Sequence, residues 1–169
     1  PRLAYVTRRG KRPTNDNETL APIRDVPELA GAKILIVDDD IRNIYSLTSV
    51  LESYDVEVLH AGRGRDGILI LEQTSGIDVA LIDIMMPEMD GYETMQEMRK
   101  LPQFAKLPLI AVTAKAMKGD REKCLEAGAS DYVSKPVDID QLLAVLRVQL
   151  GRSTYDPHGP EARGNGTAA

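Results

Sequence analysis

One stretch of this chain decides the fold: Lys33-Ile34-Leu35-Ile36-Val37-Asp38-Asp39-Asp40. Its apolar half is continuous and not alternating, which is typical of a strand buried on both faces of a parallel sheet. Three carboxylates follow at once, before a helical pattern that begins near residue 41. Asp40 stands nearest that helix and is the better N-cap, although Asp38 and Asp39 could also be ordinary capping residues. If Asp40 is the cap, Asp38 and Asp39 are free to face the edge of the sheet.

Three further apolar runs also end on a polar side chain: residues 79–82 on Asp83, residues 109–112 on Thr113, and residues 132–134 on Lys135. A fifth run, residues 56–59, carries no such group. If the runs are parallel strands, the polar residues all lie at carboxyl ends of strands. Open α/β sheets bind their ligands at that edge, so we expect these groups to form one site.

Strand and helix patterns alternate along the chain. We expect strands near residues 33–37, 56–60, 78–82, 108–112 and 131–134, and helices near 41–53, 65–74, 91–100, 118–127 and 139–149. Five β-α units predict an α/β fold, a doubly wound five-stranded parallel sheet with helices on both faces. Asp90 with Glu93, and Asp138 with Gln141, have the spacing of capping boxes for the third and fifth helices. Gly128 is a natural end for the fourth helix.

The 169 residues suffice for one domain with a full core and tails. We expect residues 1–29 to be a linker or the end of an upstream domain, with a short extended segment near residues 3–6. Residues 30–150 form the folded domain, and the Gly- and Pro-rich residues 151–169 form a disordered tail. Because the chain begins with Pro1 and not Met, we expect it to be a piece of a longer protein. Because no further domain fits after residue 150, we expect this module to end that protein.

Composition and charge exclude several classes of function. Residues 30–150 hold 13 basic and 20 acidic residues, which argues against nucleic-acid binding by the domain. Residues 1–13 hold five basic residues and no acid, so this stretch is either a solvated linker or a contact for an anionic surface. No run resembles a membrane span or a signal peptide. The single cysteine, Cys124, excludes an internal disulfide and fits a reducing compartment, so we expect a cytoplasmic location.

The chemistry of the predicted site suits phosphoryl transfer. A carboxylate cluster at a buried edge is unfavourable unless a cation neutralises it, and Mg²⁺ takes oxygen ligands while keeping waters that a phosphate can replace. Asp38, Asp39 and Asp83 are therefore candidate ligands. Asp83 is also a candidate nucleophile that forms an aspartyl phosphate, the alternative being a purely structural cation site.

Two other residues complete the candidate site. Lys135 could neutralise a phosphoryl oxygen or form only a salt bridge. Thr113 could donate a hydrogen bond to the phosphoryl group or simply end its strand. The bond between Lys135 and Pro136 is a candidate cis peptide that would aim the lysine inward.

The segment from about residue 32 to residue 150 closely resembles the receiver domains of two-component response regulators, most of all the C-terminal receivers of hybrid sensor histidine kinases. The stretches that carry the resemblance are residues 33–40, Arg42-Asn43, residues 83–91, residues 112–117, residues 128–132 and Lys135-Pro136. The resemblance covers roughly 70% of the chain, and its joint pattern is far more specific than one short motif.

The resemblance implies a flavodoxin-like fold with strand order 2-1-3-4-5. It implies Mg²⁺-dependent transfer of a phosphoryl group from a phosphohistidine to Asp83. Asp39, Asp83 and the backbone carbonyl of Met85 would ligate Mg²⁺, with Asp38 acting partly through water. Thr113 would bind phosphoryl oxygens together with the lysine at position 135.

The resemblance also implies a switch and a timer. Thr113 would move toward the phosphoryl group and Tyr132 would turn inward, which changes the surface of the fourth helix and fifth strand. Met85 and Lys115 occupy the two positions that tune the lifetime of the phosphorylated form. Because Met85 has no group that could orient an attacking water, we expect slow self-hydrolysis.

The partners implied are the phosphohistidine domain of a histidine kinase or a histidine phosphotransfer protein, together with neighbouring domains of a parent kinase. Ile41, Ile44 and Pro136 are the expected docking residues, although the two isoleucines could be core. No contact with nucleic acid or membrane is expected from this segment. The domain would catalyse only its own phosphorylation and dephosphorylation, so whether to class it as an enzyme stays open.

Two other functions remain open at this point. A receiver could act without phosphorylation, through domain contacts or by binding a small anionic ligand. A metal-dependent phosphatase is disfavoured because Met85, and not a second acid, stands two places after Asp83.

Overall fold

The computed structural model describes residues 5–6, 26–114 and 117–152. The strands are β1 Tyr5–Val6, β2 Lys33–Val37, β3 Glu57–Ala61, β4 Val79–Asp83, β5 Leu109–Thr113 and β6 Asp131–Ser134. The α-helices are α1 Ile41–Glu52, α2 Gly64–Gln73, α3 Gly91–Lys100, α4 Lys118–Glu126 and α5 Ile139–Arg152. Two short 3₁₀ turns, Pro27–Leu29 and Pro102–Phe104, complete the described elements.

The strands form a single six-stranded sheet in the order β1-β3-β2-β4-β5-β6. Strands β2 to β6 are all parallel, whereas β1 pairs antiparallel with the outer edge of β3. Counted without β1, the five parallel strands have the predicted order 2-1-3-4-5. The predicted fold class is therefore confirmed, and the carboxyl ends of all five parallel strands lie at one edge.

Two apolar cores, one on each face of the sheet, explain why the interior positions of β2, β4 and β5 are apolar without alternation. In β2, Leu35 and Val37 face the core that α2, α3 and α4 cover. Ile34 and Ile36 face the opposite core, which α1 and α5 cover. A strand buried on both faces cannot show polar alternation, so its first polar residues mark the place where it leaves the core.

The helix ends follow the predicted capping pattern. Asp40 accepts a hydrogen bond from the Arg42 backbone N–H at 2.9 Å, so it is the cap of α1 and leaves Asp38 to the site. Asp90 caps α3 and Asp138 caps α5 in the same way. Gly128 follows α4 with a φ of +113°, which only glycine adopts without strain.

One half-buried side chain, for which the sequence predicted no role, ties three loops together. The Arg99 guanidinium at the end of α3 donates to the carbonyls of Phe104, Leu107 and Gly128 at 2.7–2.9 Å. Burial lowers the pKa of Arg99 from its usual value. These carbonyls satisfy the cation without a carboxylate partner among them, and they fix the end of α4 against α3.

The folded domain begins before residue 30. Leu29 is fully buried and joins the core on the α1 and α5 face. Glu28 pairs with Arg147 of α5, with its Oε1 at 3.0 Å from Nε. Within the described ranges, no helix is both long and apolar enough to cross a membrane.

Candidate functional site

The polar ends of four parallel strands meet at the carboxyl edge of the sheet. Strand register places Val37 beside Ile82, Asp83 beside Val112, and Thr113 beside Ser134. Asp38, Asp83 and Thr113 are almost fully buried, with exposed fractions of 3%, 3% and 1%. Such burial of polar groups is unusual for structural residues and is typical of a site.

Asp38 is held in place by the start of α1. Its Oδ1 accepts the backbone N–H of Asp40 at 2.8 Å, and its Oδ2 accepts the side-chain amide of Asn43 at 3.3 Å. The Asp40 cap and the following turn therefore orient the carboxylate as well as start the helix. The sequence predicted no role for Asn43. Its position in the first turn of α1, close to the acidic residues in the chain, was the available signal for a role in the site.

Lys135 faces both buried carboxylates. Its Nζ lies 3.1 Å from Oδ1 of Asp83 and 3.5 Å from Oδ2 of Asp38. The Lys135 backbone N–H donates to the Thr113 carbonyl at 2.7 Å, and the Lys135–Pro136 peptide is cis. One ammonium thus serves two carboxylates, which leaves the cluster with an excess of negative charge.

The pKa shifts express that excess charge. Burial, followed by the charge of Asp38, raises the pKa of Asp83 above its usual value, and Lys135 offsets this only in part. Burial by itself would lower the pKa of Lys135, but the charge of Asp38 and the Asp83 carboxylate outweigh it and raise that pKa. A second positive charge near Asp83 would therefore be stabilising.

The carboxylates of Asp38, Asp39 and Asp83 fit a cation. Each offers one oxygen, and these three oxygens all lie within 4.8 Å of one another. Asp39 is exposed while the other two are buried, so the cluster opens to solvent on one side. Hard oxygen donors with room for water are the set that Mg²⁺ prefers.

The loop after β4 brings Met85 to the same edge. Its backbone N–H lies 3.3 Å from Oδ1 of Asp83, while its side chain is 58% exposed. Gly91 allows this loop to lie against α3, because a Cβ there would come within 2.6 Å of the Ile84 Cα. The loop therefore has no space for a larger residue at the start of α3.

The predicted switch residue Tyr132 is half-buried on β6, next to the strand that ends in Thr113. The Arg121 guanidinium carbon of α4 lies 5.7 Å from the centre of its ring. Tyr132 thus contacts α4 on one side and packs against the core on the other. The predicted lifetime-tuning residue Lys115 lies outside the described residues.

The expected docking face needs one correction. Ile41 is 75% exposed and Pro136 is also exposed, so neither is a core residue. Ile44 is only 7% exposed because it lies three residues further round α1 and packs into the core, so its assignment to the docking face was wrong. Tyr45, one turn after Ile41 on the same side of α1, is 74% exposed.

Residues 34–147 match the profile of the response regulator receiver domain. The chain therefore belongs to the family of receiver domains of two-component signalling systems. Its sheet order is that of the flavodoxin-like fold, and the acidic cluster and Lys135 lie together at the carboxyl edge of that sheet.

Relatives of two kinds are similar to this chain. The protein PilH of Pseudomonas aeruginosa is 38% identical over 119 residues, which are 70% of this chain and 98% of PilH. The histidine kinase BarA of Escherichia coli K12 is 37% identical over 128 residues, covering 76% of this chain. The chain spans only 14% of the length of BarA, so the similarity concerns the receiver region and not the rest of that kinase.

A solved structure shows the same architecture. The receiver domain of the sensor histidine kinase PA1611 from Pseudomonas aeruginosa PAO1 superimposes with a TM-score of 0.66 at 34% identity, over 72% of this chain and 99% of that one. That structure has a magnesium ion coordinated in its active-site cleft.

Proposed function

We propose that this receiver accepts a phosphoryl group on Asp83 from a phosphohistidine, in a Mg²⁺-dependent reaction. The observation that carries the proposal is the contact of the buried Asp83 carboxylate with the Lys135 ammonium at 3.1 Å. A carboxylate at the end of a parallel strand, faced by a cation and next to the exposed Asp39, supports a role as the nucleophile that attacks phosphorus.

The transfer forms one bond and breaks one. A carboxylate oxygen of Asp83 attacks the phosphorus in line with the P–N bond of the phosphohistidine. That bond breaks, and its electron pair leaves with the imidazole, which is protonated from solvent. Lys135 balances charge on the phosphoryl oxygens, and the Thr113 hydroxyl donates a hydrogen bond to one of them.

The residues that would hold Mg²⁺ are Asp38, Asp39, Asp83 and the backbone carbonyl of Met85, with Asp38 acting partly through water. When bound, the ion supplies positive charge that offsets the repulsion between the carboxylates and the incoming phosphoryl oxygens. The Asn43 side chain and the Asp40 backbone N–H hold the Asp38 carboxylate in its orientation.

Phosphorylation would change the surface formed by α4 and β6. The new charge at Asp83 draws the Thr113 hydroxyl toward it, and Tyr132 turns into the space so released. Since the Tyr132 ring contacts Arg121 of α4, its movement is passed to that helix. A population shift between two packings suffices for the output.

The partner is a histidine kinase domain or a histidine phosphotransfer protein, and the parent chain is a hybrid histidine kinase that works in the cytoplasm. Ile41 follows the acidic residues directly in the chain, Tyr45 lies one turn further along α1, and Pro136 follows Lys135. All three are exposed, and apolar exposed groups of this kind favour protein docking. Ile41→Asp is expected to slow transfer from such a donor without slowing phosphorylation by acetyl phosphate. Val148→Asp is the matched control, because Val148 is an exposed apolar residue on α5.

The proposal is tested with a phosphorylated histidine donor. The native chain, mixed with a phosphorylated histidine phosphotransfer protein and Mg²⁺, should gain label while the donor loses it. Asp83→Asn should gain none, although it folds and still contacts the donor. Label on Asp83→Asn would contradict the assignment. Release of the donor's phosphoryl group as free phosphate, only when Asp83→Asn is present, would also contradict it.

A further inference from the structure

The outer edge of β3 is closed by a strand from outside the family match. β3 pairs with β2 on its inner side and with β1 on its outer side. In the β1 pairing, Tyr5 lies opposite His60 and Val6 lies opposite Leu59. An open strand edge presents unpaired backbone groups that can recruit another strand, so its cover has consequences for association.

The ladder between β2 and β3 shows which backbone groups β1 covers. The Glu57 N–H donates to the Ala32 carbonyl at 2.8 Å, and the Ala61 carbonyl accepts from Asp38 at 3.0 Å. Odd-numbered residues of β3 therefore turn their polar groups toward β2. By alternation, His60 turns its N–H and carbonyl toward β1, where residue 5 lies directly opposite.

Two residues of β1 consequently have different roles. Tyr5 and His60 form the hydrogen-bonded pair, whose backbone groups face each other. Val6 and Leu59 form the other type of pair, in which the Val6 N–H points away from β3. Proline at position 5 removes a ladder donor, whereas proline at position 6 removes none.

The charge of the flanking sequence favours its contact with the domain, and the tether favours that contact within one chain. Residues 1–13 hold five basic residues and no acid, while residues 30–150 hold 20 acidic against 13 basic residues. Opposite charge attracts the N-terminal stretch to the domain to which it is tethered. A tether also raises its effective concentration above that of any free strand.

We propose that the outer edge of β3 is a strand-docking surface, which residues 5–6 occupy in cis as a displaceable clasp that excludes a second copy of this chain. The described part of the clasp is the two-residue strand β1, and a ladder held by single backbone hydrogen bonds can be replaced by a competing strand. Its loss exposes an edge that is suited to antiparallel pairing with the same edge of another copy.

Amide hydrogen exchange tests the clasp at a single group. In the full chain the His60 amide should be protected. Tyr5→Pro removes the Tyr5 N–H that faces the His60 carbonyl. Loss of this one backbone hydrogen bond weakens the clasp, so the His60 amide should exchange about tenfold faster or more. Val6→Pro is the matched control and should leave His60 protected, because a residue before proline keeps its extended conformation. The Leu59 amide faces β2 and should stay protected in both variants.

Molecular mass in solution decides between pairing in cis and in trans. The parent should sediment as a monomer, with His60 protection independent of protein concentration, and Tyr5→Pro should form dimers as concentration rises. A His60 amide that is unprotected in the parent would overturn the clasp. A His60 amide that exchanges at the same rate in Tyr5→Pro and in the parent would also overturn it. If the protection of His60 grows with the concentration of the parent, the pairing belongs to a second copy. If Tyr5→Pro stays strictly monomeric, the clasp is not what excludes a second copy.

Discussion

The Nζ of Lys135 lies 3.1 Å from Oδ1 of Asp83, and the same nitrogen lies 3.5 Å from Asp38. A single cation at the end of β6 therefore balances two buried carboxylates from β4 and the end of β2. Burial, followed by the negative charge of Asp38, raises the pKa of Asp83 in spite of this contact. An added cation would neutralise the negative charge that Lys135 leaves unbalanced, and it would also balance the charge of a phosphoryl group.

Lys135→Met should slow phosphorylation by acetyl phosphate about 10²-fold, the effect expected for loss of one charged group that stabilises a transition state. The variant should bind Mg²⁺ more tightly than the parent, since a competing positive charge is gone, and this also shows that it is folded. Lys33→Met is the control, because the Lys33 ammonium donates to the Ser75 carbonyl at 3.0 Å and not to the site. A parent-like rate in Lys135→Met would remove the lysine from the reaction.

Mg²⁺ should stabilise the fold through the acidic cluster. At about 100 times its dissociation constant, a ligand of the native state raises the free energy of unfolding by about 2.7 kcal/mol. The gain is measured as the difference between urea unfolding with Mg²⁺ and without it. Asp39→Asn should lose most of this gain. Asp40→Asn should keep it, because Asp40 caps α1 and lies outside the cluster. Equal losses in the two variants would argue against a defined metal site.

The raised pKa of Asp83 predicts how stability depends on pH without metal. Between the ordinary Asp pKa and the raised one, the folded chain binds more protons than the unfolded chain, so this group lowers stability as pH rises. Asp83→Asn should therefore be more stable than the parent at pH 7 in a chelator, and the difference should vanish below about pH 4. Saturating Mg²⁺ should reverse the order at pH 7. A variant less stable than the parent in the chelator would contradict this reading.

The lifetime of the phosphorylated form should be long, because the exposed Met85 side chain has no group that orients water toward the phosphoryl group. Met85→Asn should shorten the half-life by about tenfold or more, as a polar side chain can position the attacking water. Met117→Asn is the matched control, since Met117 is 76% exposed and lies before α4. A parent half-life of only seconds would contradict the prediction.

Arg99→Met should lower the free energy of unfolding by about 2–3 kcal/mol, because it leaves several partly buried carbonyls without their donor. Arg99→Lys should recover only part of this, as one ammonium cannot span the same carbonyls. Lys100→Met, next in the chain and exposed, should change stability little. Equal unfolding midpoints for Arg99→Met and Lys100→Met would refute a role for the guanidinium.

Sequence predicted most of the fold because the strands leave little choice. The run from Ile34 to Val37 reads as a doubly buried strand, and the predicted bounds of all ten elements lie within three residues of those observed. Asp40 was assigned correctly as a cap because it is the acid nearest the helix. Ile44 was misplaced because one turn of helix holds both an exposed and a buried isoleucine, and only packing separates them.

Other features depend on partners distant in the sequence. Arg99 looks like an ordinary basic residue at the end of a helix, and only the fold brings Gly128 and Leu107 to its guanidinium. The pairing of Tyr5 with His60 joins residues from opposite sides of the first β-α unit, which local patterns cannot reveal. The extended character of the segment was visible, but its place in the sheet was not.

Intact mass after incubation with acetyl phosphate and Mg²⁺ tests the central claim most directly. The native chain should gain one phosphoryl group, which mild hydroxylamine removes as expected of an acyl phosphate, and Asp83→Asn should gain none. The same adduct on Asp83→Asn, or none on a folded native chain with Mg²⁺ bound, would contradict the assignment of Asp83 as the phosphoacceptor.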